Sequence, residues 1–314
     1  MFAFLLSGAT SNVLKHEEKA FLAYMRETGN FFTGDEYHFR LGIYLANKRL
    51  VQEHNAANKG FKLGLNKLAH LTQSEYRSLL GAKRLGQKSG NFFKCDAPAN
   101  DAVDWRDKGI VNKIKDQGQC GSCWAFSAIQ ASESRYAQAN KQLLDLAEQN
   151  IVDCVTSCYG CNGGWPSKAI DYVVKHQAGK FMLTADYPYT ARDGTCKFHA
   201  SKSVGLTKGY DEVKDTEAEL AKAASKGVVS VCIDASHYSF QLYTSGIYDE
   251  PSCSAWNLDH AVGLVGYGTE GSKNYWIVRN SWGTSWGEQG YIRMIKDKSN
   301  QCGIASEAIL PKAL

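Results

Sequence analysis

The stretch Gln117-Gly118-Gln119-Cys120-Gly121-Ser122-Cys123-Trp124 carries the residues best suited to nucleophilic chemistry. A cysteine attacks as its thiolate, so its surroundings must favour the anion. Cys123 stands where a turn rich in Gly and Ser gives way to a helical run over Trp124–Asn140. A helix amino terminus offers unpaired N–H groups and partial positive charge, which suits an anion. Those amides, with the side-chain NH₂ of Gln117, can also hold an oxyanion developing on an attacked carbonyl. A histidine must then stabilise the thiolate and protonate a leaving amine. Of eight histidines, His260 alone lies in a distinctive setting, Asn257-Leu258-Asp259-His260-Ala261-Val262-Gly263, at the start of an apolar strand. His16, His38, His54 and His70 lie in a front segment that reads as removable, and His176, His199 and His237 read as surface residues. Asn280, in Arg279-Asn280-Ser281-Trp282-Gly283, can accept from the imidazole and fix its rotation, with Trp282 shielding that bond. A lone Cys or His is more often structural. Here three elements, each in a distinctive local sequence and in workable order, favour catalysis.

The elements that must position these groups follow from periodicity. Residues 15–85 read as helical: Lys15–Thr28 puts Ala20, Leu22, Ala23 and Met25 near one stripe, and Gly29–Asn30 ends the run. A second helix is expected from Asp35, as N-cap, to about Asn58, with Phe39, Ile43, Leu50 and Val51 on its apolar stripe. Lys62–Leu68 alternates weakly like a strand, and Thr72 with Glu75 forms a capping box for a short helix to Leu80. Residues 81–100, rich in Gly, Lys, Ser and Asn, read as a solvated linker open to proteolysis. Helical signals follow at Cys123–Asn140, Ala147–Cys154 and Ser167–His176; strands are expected at Val228–Ile233, Ala261–Tyr267, Tyr275–Arg279 and Tyr291–Ile295. A helical half before a β half implies an α+β fold with two lobes, about 105–205 and 206–305, and a cleft between them.

Composition narrows the class. With 314 residues and 44% apolar content the chain can bury a large core. Residues 1–96 carry 14 Lys and Arg against 8 Asp and Glu, while 97–314 carry 22 against 24. The basic residues are scattered, which argues against nucleic-acid binding and for two parts that attract each other. Ten cysteines point towards an oxidising compartment. Met1–Ala9 (MFAFLLSGA) reads as a signal peptide, although it lacks a basic flank. No other apolar stretch is long enough to span a membrane.

With these motifs on the page, the sequence resembles the papain family of cysteine peptidases, in particular its cathepsin L-like branch. The likeness rests on Gln117 through Phe126, Cys161-Asn162-Gly163-Gly164, the His260 segment, Asn280-Ser281-Trp282-Gly283 and Cys302-Gly303-Ile304-Ala305. It extends to the front segment, where Glu36, Arg40, Asn47 and Asn55 match a family propeptide motif, with Tyr44 for Phe and Val51 for Ile. A second propeptide motif matches at Gly64 and Asn66, with Leu68 for Phe and His70 for an acid. The resemblance implies a papain-like two-lobed fold, a helical lobe beside a β-barrel-like lobe, with an inhibitory helical propeptide over about 10–96 and a peptidase over 97–314. The propeptide would cross the cleft in the non-productive direction and loosen on acidification, at about pH 4–5 from carboxylate reference values.

The resemblance also implies three bridges, Cys120–Cys161, Cys154–Cys196 and Cys253–Cys302, each contributing about 4 kcal/mol by loop closure. Cys232 then reads as a buried filler, and Cys95 and Cys158 remain unassigned. The run Cys154, Cys158, Cys161 has zinc-like spacing, but two of its members are claimed by bridges, so no metal or other cofactor is expected. In relatives the Gly163-Gly164 backbone pairs with a bound peptide, the Asp259 carbonyl accepts from the residue at the cut, and Trp282 lines the leaving-group side. The main specificity pocket would be walled by Trp165, Pro166, Ala235, Leu258 and Ala261, with Glu307 at its end. Apolar walls favour bulky apolar side chains, and a terminal carboxylate can pair with Arg. Expected partners are protein and peptide substrates, the chain's own propeptide and cystatin-type inhibitors, with no nucleic acid or membrane. Relatives are mostly monomers, acting in a lysosome-like or digestive vesicle or after secretion. Two other functions use parts of the same reading: acyl transfer to amines by the same Cys-His-Asn set, and a non-catalytic inhibitor, which the intact Cys123 disfavours.

Overall fold

In the computed structural model, residues 3–83, 88–205 and 207–313 are described. The front segment holds helices α1 (Ala3–Thr28), α2 (Gly34–Ala56) and α3 (Gln73–Ser78) and strand β1 (Phe61–Leu63). Met1 and Phe2 of the expected signal peptide lie outside the described residues; residues 3–9 continue the backbone of α1. The stripe of α1 is shifted from expectation: Phe21, Tyr24 and Met25 are buried, whereas Leu22 and Ala23 face solvent. On α2 the buried line is Leu41, Tyr44, Asn47, Val51 and His54, and Phe39 lies exposed beneath the Arg40 guanidinium. The two helices meet through aromatic rings, Phe21 against Tyr37 and Tyr44 and Tyr24 against Tyr44, and these rings choose the face. Asp35 does not cap α2; Thr33 holds that position, and Asp35 with Glu36 supplies negative charge to the first turn. Of the expected strand Lys62–Leu68 only Lys62 and Leu63 form, in a strand that starts at Phe61, because Asn66 turns the chain by accepting from the Leu68 amide. The capping box of Thr72 and Glu75 opens α3.

The rest of the chain forms α4 (Cys123–Asn140), α5 (Glu148–Cys154), α6 (Pro166–His176), α7 (Glu217–Ala224) and the one-turn α8 (Tyr238–Gln241). Its strands are β2 (Val103–Asp104), β3 (Lys180–Met182), β4 (Ser203–Gly205), β5 (Thr207–Glu212), β6 (Val229–Ile233), β7 (Tyr243–Tyr248), β8 (His260–Glu270), β9 (Lys273–Arg279), β10 (Tyr291–Ile295) and β11 (Ala308–Ala313). The large sheet runs β1-β7-β10-β9-β8-β6-β11-β5, with β2 beside β8. The front segment thus supplies one edge strand, β1. It also approaches the opposite edge, where Phe92 bridges Glu212 in parallel. Covering both edges protects backbone groups that would otherwise seek partners.

Two cores separate the lobes. Trp124, Ile129, Ile151, Ile170, Val173 and Phe181 build the helical one. Trp276, Trp282, Trp286, Tyr243 and Val262 build the other, which is continuous with Phe21, Leu68 and Tyr76 of the front segment. Helix α4 is buried on nearly every face, as expected of a central helix. Ser127 on α4 bonds to Ser230 on β6 (2.6 Å) and to the Val262 carbonyl on β8 (2.7 Å), tying the lobes together. Gly81 and Ala82 are not solvated linker: both are buried in the cleft, and exposure begins at Lys83.

Candidate active site

Cys123 is the first residue of α4. The turn before it is held tightly: Gly121 N–H donates to the Cys161 carbonyl (2.8 Å) beside the Cys120–Cys161 bridge. A β-carbon on Gly121 would sit 2.6 Å from that carbonyl oxygen, so only glycine fits. Ser122 does not cap the helix with its side chain but shares a 2.6 Å bond with the Tyr189 hydroxyl, which leaves the first amides of α4 clear of a side-chain cap.

His260 opens β8 at the lobe edge, opposite Ile233. Its Nε2 lies 2.8 Å from Asn280 Oδ1, and that oxygen also accepts from the Ser281 amide at 2.8 Å. A backbone amide can only donate, so the atom is the carbonyl oxygen and the ring must donate from Nε2. Nδ1 is therefore the nitrogen left for chemistry. Trp282 stacks on the imidazole at 4.8 Å between centroids, and Phe240 meets its edge at 6.2 Å. Ala261, next along from His260, packs in one buried group with Cys123, Cys232, Leu258 and Ala82. The two residues, 137 positions apart, thus come to the same wall. Burial pushes the Cys123 thiol up to about 12, against amides of Ala261 and Gly81 that favour the anion. Burial likewise lowers the His260 imidazole to about 4, against its bond to Asn280. In the precursor burial thus favours the neutral form of both groups.

Gln117 is fixed from behind. Its Oε1 accepts from Ser281 Oγ (2.7 Å) and Trp282 Nε1 (3.1 Å), which turns Nε2 to the cleft. There Nε2 donates to the carbonyl of Leu79 (2.9 Å), a front-segment residue, and of Cys120 (2.8 Å). The chain then passes the nucleophile: Gly81 N–H donates to Cys123 Sγ (3.2 Å). Beyond it, Ala82 N–H donates to the Asp259 carbonyl (2.9 Å), Gly164 N–H to the Gly81 carbonyl (2.8 Å) and Lys83 N–H to the Gly164 carbonyl (2.9 Å). Tyr76 lies against Trp282 at 5.8 Å and donates to the Ala235 carbonyl (2.6 Å). The segment therefore runs from Trp282 towards Gly163 and Gly164, pairing with Gly164 in parallel.

A half-open pocket is lined by Trp165, Pro166, Ser167, Glu212, Ser230, Cys232, Glu307, Ala308, Ile309 and Lys88. Trp165, Pro166 and Glu307, three of the expected pocket residues, line it together. Leu258 and Ala261 face Ala82 instead, and Ala235 is withdrawn into the β-lobe core. Gly81, Tyr76, Ser281 and Glu212 were not legible as site residues. Gly81 sat inside a Gly-rich stretch, and the other three act through contacts distant in sequence.

The three bridges pair Cys120 with Cys161, Cys154 with Cys196 and Cys253 with Cys302. Cys158 and Cys232 are buried free thiols, and Cys95 is a half-buried one. His176 and His199 are exposed, but His237 is half-buried with Nε2 3.4 Å from Asp234. Among the described residues the metal-like group is Asp234, His237 and Cys253, whose sulfur is engaged in a bridge. No helix among the described residues is long and apolar enough to cross a membrane.

A helix-borne thiol and a strand-borne imidazole, each at the join of two lobes and covered by the chain's own front segment, define the precursor of a thiol peptidase. The chain matches the model for papain family cysteine protease over residues 99–312 and that for the cathepsin propeptide inhibitor domain over 21–76. It is 42% identical over 289 residues to digestive cysteine proteinase 1 of Homarus americanus, covering 88% of this chain and 89% of that one. It is also 42% identical over 291 residues to procathepsin L of Mus musculus, covering 88% and 86%. A solved digestive procathepsin L 3 from Tenebrio molitor larval midgut superposes with a TM-score of 0.87 at 32% identity, covering 94% of this chain and 99% of that one. The protein belongs to the papain family and is a cathepsin L-like cysteine endopeptidase precursor with its propeptide inhibitor domain in place.

Proposed function

We propose that the processed enzyme cleaves internal peptide bonds with Cys123 as nucleophile, His260 as its proton partner, Asn280 as the ring's anchor and Gln117 as oxyanion donor. The observation that carries this is the 2.8 Å bond that commits His260 Nε2 to Asn280, leaving Nδ1 for the sulfur and the leaving amine. Removing the propeptide, by a cut within 85–100, returns water to the cleft and withdraws the burial that favours neutral thiol and imidazole. The α4 terminus then favours the thiolate and His260 takes the proton. The thiolate attacks the carbonyl carbon, and the oxyanion bonds to Gln117 Nε2 in place of the Leu79 carbonyl. Protonated Nδ1 gives its proton to the amine as the C–N bond breaks, leaving a thioester. Water, deprotonated by Nδ1, then attacks the thioester and frees the acid.

A substrate's acyl portion lies along Gly163 and Gly164 and its leaving portion against Trp282, opposite in direction to the propeptide. That reversal keeps the propeptide's own bonds from being cut. The specificity pocket takes bulky apolar side chains against Trp165 and Pro166, and Arg against Glu307. The digestive naming of relatives and the three bridges support work in a digestive or lysosome-like vesicle or outside the cell. The test is labelling with a thiol-reactive peptide epoxide after acid activation. Label on Cys123, lost in Cys123→Ser together with peptidase activity, is expected; an active Cys123→Ser enzyme refutes the assignment. Substrate profiling of Glu307→Ala tests the pocket, where unchanged Arg acceptance would remove Glu307 from it.

A further inference from the structure

We infer that Glu212 is a second specificity-determining carboxylate of the pocket that contains Glu307. In the precursor it is held by residues 88–93, and in the processed enzyme it is turned over to a basic substrate side chain. The inference rests on the peptidase reading and adds a residue to it. Strand register supplies the first argument. Glu212 on β5 lies opposite Ile309 on β11, Ile309 lies opposite Ser230 on β6, and the Cys232 amide donates to the Glu307 carbonyl (2.9 Å). Cross-strand partners share a face, and side chains alternate along each strand. Glu212, Ile309, Ser230 and Cys232 therefore share one face, and with Glu307 they line one cavity walled by Trp165 and Pro166.

The second argument is what holds Glu212 now. It is 3% exposed. One carboxylate oxygen accepts from the Ser89 amide (2.8 Å) and the other from the Gly90 amide (3.1 Å). Its backbone takes part as well: Glu212 N–H donates to the Asn91 carbonyl (2.9 Å) and Phe93 N–H to the Glu212 carbonyl (2.7 Å). A processing cut after residue 93 takes every one of these partners away with the propeptide. A carboxylate in such a wall then needs another donor. The precursor already runs a basic side chain along this wall: Lys88 lines the cavity, with its ammonium on the Val213 carbonyl (2.9 Å) and paired with Asp215. Two carboxylates around one slot suit the fork of Arg, which offers five N–H groups in fixed directions, better than the compact ammonium of Lys.

The test uses acid-activated full-length enzyme and three fluorogenic peptides that differ only in Arg, Lys or Leu before the residue at the cut. Each kcat/KM is divided by active sites titrated with a peptide epoxide, so partial misfolding does not enter. In Glu212→Gln the Arg-to-Leu ratio is expected to fall tenfold to a hundredfold. In Glu212→Asp, which keeps the charge, it is expected to fall less. An Arg-to-Leu ratio unchanged in Glu212→Gln, or lowered equally in Glu212→Asp, overturns the inference. A wild-type enzyme that cuts none of the three peptides would instead overturn the peptidase reading.

Discussion

Gly81 sits with its N–H 3.2 Å from Cys123 Sγ and its α-carbon so close to the opposite wall that a β-carbon would lie 1.7 Å from the Gly121 carbonyl oxygen. That oxygen is backbone in a turn braced by the Cys120–Cys161 bridge and cannot give way. The inhibitory segment is thus seated by the absence of a side chain at one position. Gly81→Ala is expected to lift residues 79–83 from the cleft while α1 to α3 remain docked through the shared core. The measurement is epoxide labelling of Cys123 in intact precursor at neutral pH. The variant should label at least about tenfold faster than wild type, a loss of roughly 1.4 kcal/mol of occlusion; equal rates would show that Gly81 does not seat the segment.

Asn280 anchors the ring that must change charge twice per turnover. Without its carbonyl, Nε2 has no acceptor, and the imidazole is free to rotate between Trp282 and Phe240. Asn280→Ala is expected to lower kcat of the processed enzyme by roughly ten- to hundredfold with a smaller change in KM, because general acid–base steps contribute about 10²–10⁴ and only part of that depends on aim. Comparable losses in KM alone would point to substrate binding instead.

His70 replaces an acid and sits in a different kind of pocket. It is buried, with Nδ1 2.8 Å from the Tyr24 hydroxyl, Phe32 at 5.2 Å and the Arg40 guanidinium on its backbone carbonyl (3.1 Å). Arg40 is itself forked onto Glu75, at 2.6 Å on each oxygen. Burial, then Arg40, lowers the imidazole to about 4, against Glu75 and Glu36. A base with a lowered folded pKa leaves stability intact above its unfolded value, about 6.5, and loses it as pH falls from there through 4. Over that window the unfolded propeptide takes up a proton that the folded one refuses, a loss on the order of 3 kcal/mol. His70→Gln removes this loss, so half-maximal self-activation should move down by roughly half to one pH unit. An unchanged activation profile would exclude His70 from the switch.

Local chemistry was legible wherever one short segment settles the outcome. The bounds of α4, the capping box of Thr72 and Glu75, the strand that opens at His260 and the strand that ends just before Asn280 follow from neighbours in sequence. The faces of α1 and α2 did not, because ring-to-ring packing of Phe21, Tyr24, Tyr37 and Tyr44 outweighs the aliphatic stripe. Gly81 looked like linker because a glycine needed for close approach is indistinguishable from one needed for a turn until its neighbour Gly121 is known. Glu212 and Glu307 come to line one pocket only through the pairing of β5 with β11, and no local pattern reports that register.

Beneath the site lies a buried ionic group. Lys115 Nζ donates to Glu148 (2.7 Å), Glu133 (3.1 Å) and the Leu146 carbonyl (2.9 Å), and pairs with Asp145 (2.7 Å). Glu133 and Glu148 are almost wholly buried, and burial with mutual repulsion raises the Glu148 carboxyl to about 7 despite Lys115. Lys115→Met would take the cation from Glu148 and leave Glu133 with the Leu146 amide (2.9 Å) and Arg279 (4.0 Å), at a cost of about 3–5 kcal/mol, on the order of 10 °C in Tm. The sign with pH is specific. An acid whose folded pKa is raised favours the folded state below its unfolded value and loses that contribution as pH rises through 7. In the variant that carboxyl rises further, so the deficit should be large at pH 8 and shrink towards pH 5, where the Glu148 carboxyl is protonated. Activity should follow, because the Lys115 carbonyl accepts from the Gly283 amide (3.0 Å) and the next turn of chain carries Gln117. Thermal unfolding of wild type and variant at pH 5 and pH 8 checks it. A deficit equal at both values would mean that Lys115 acts by packing rather than by neutralising buried charge.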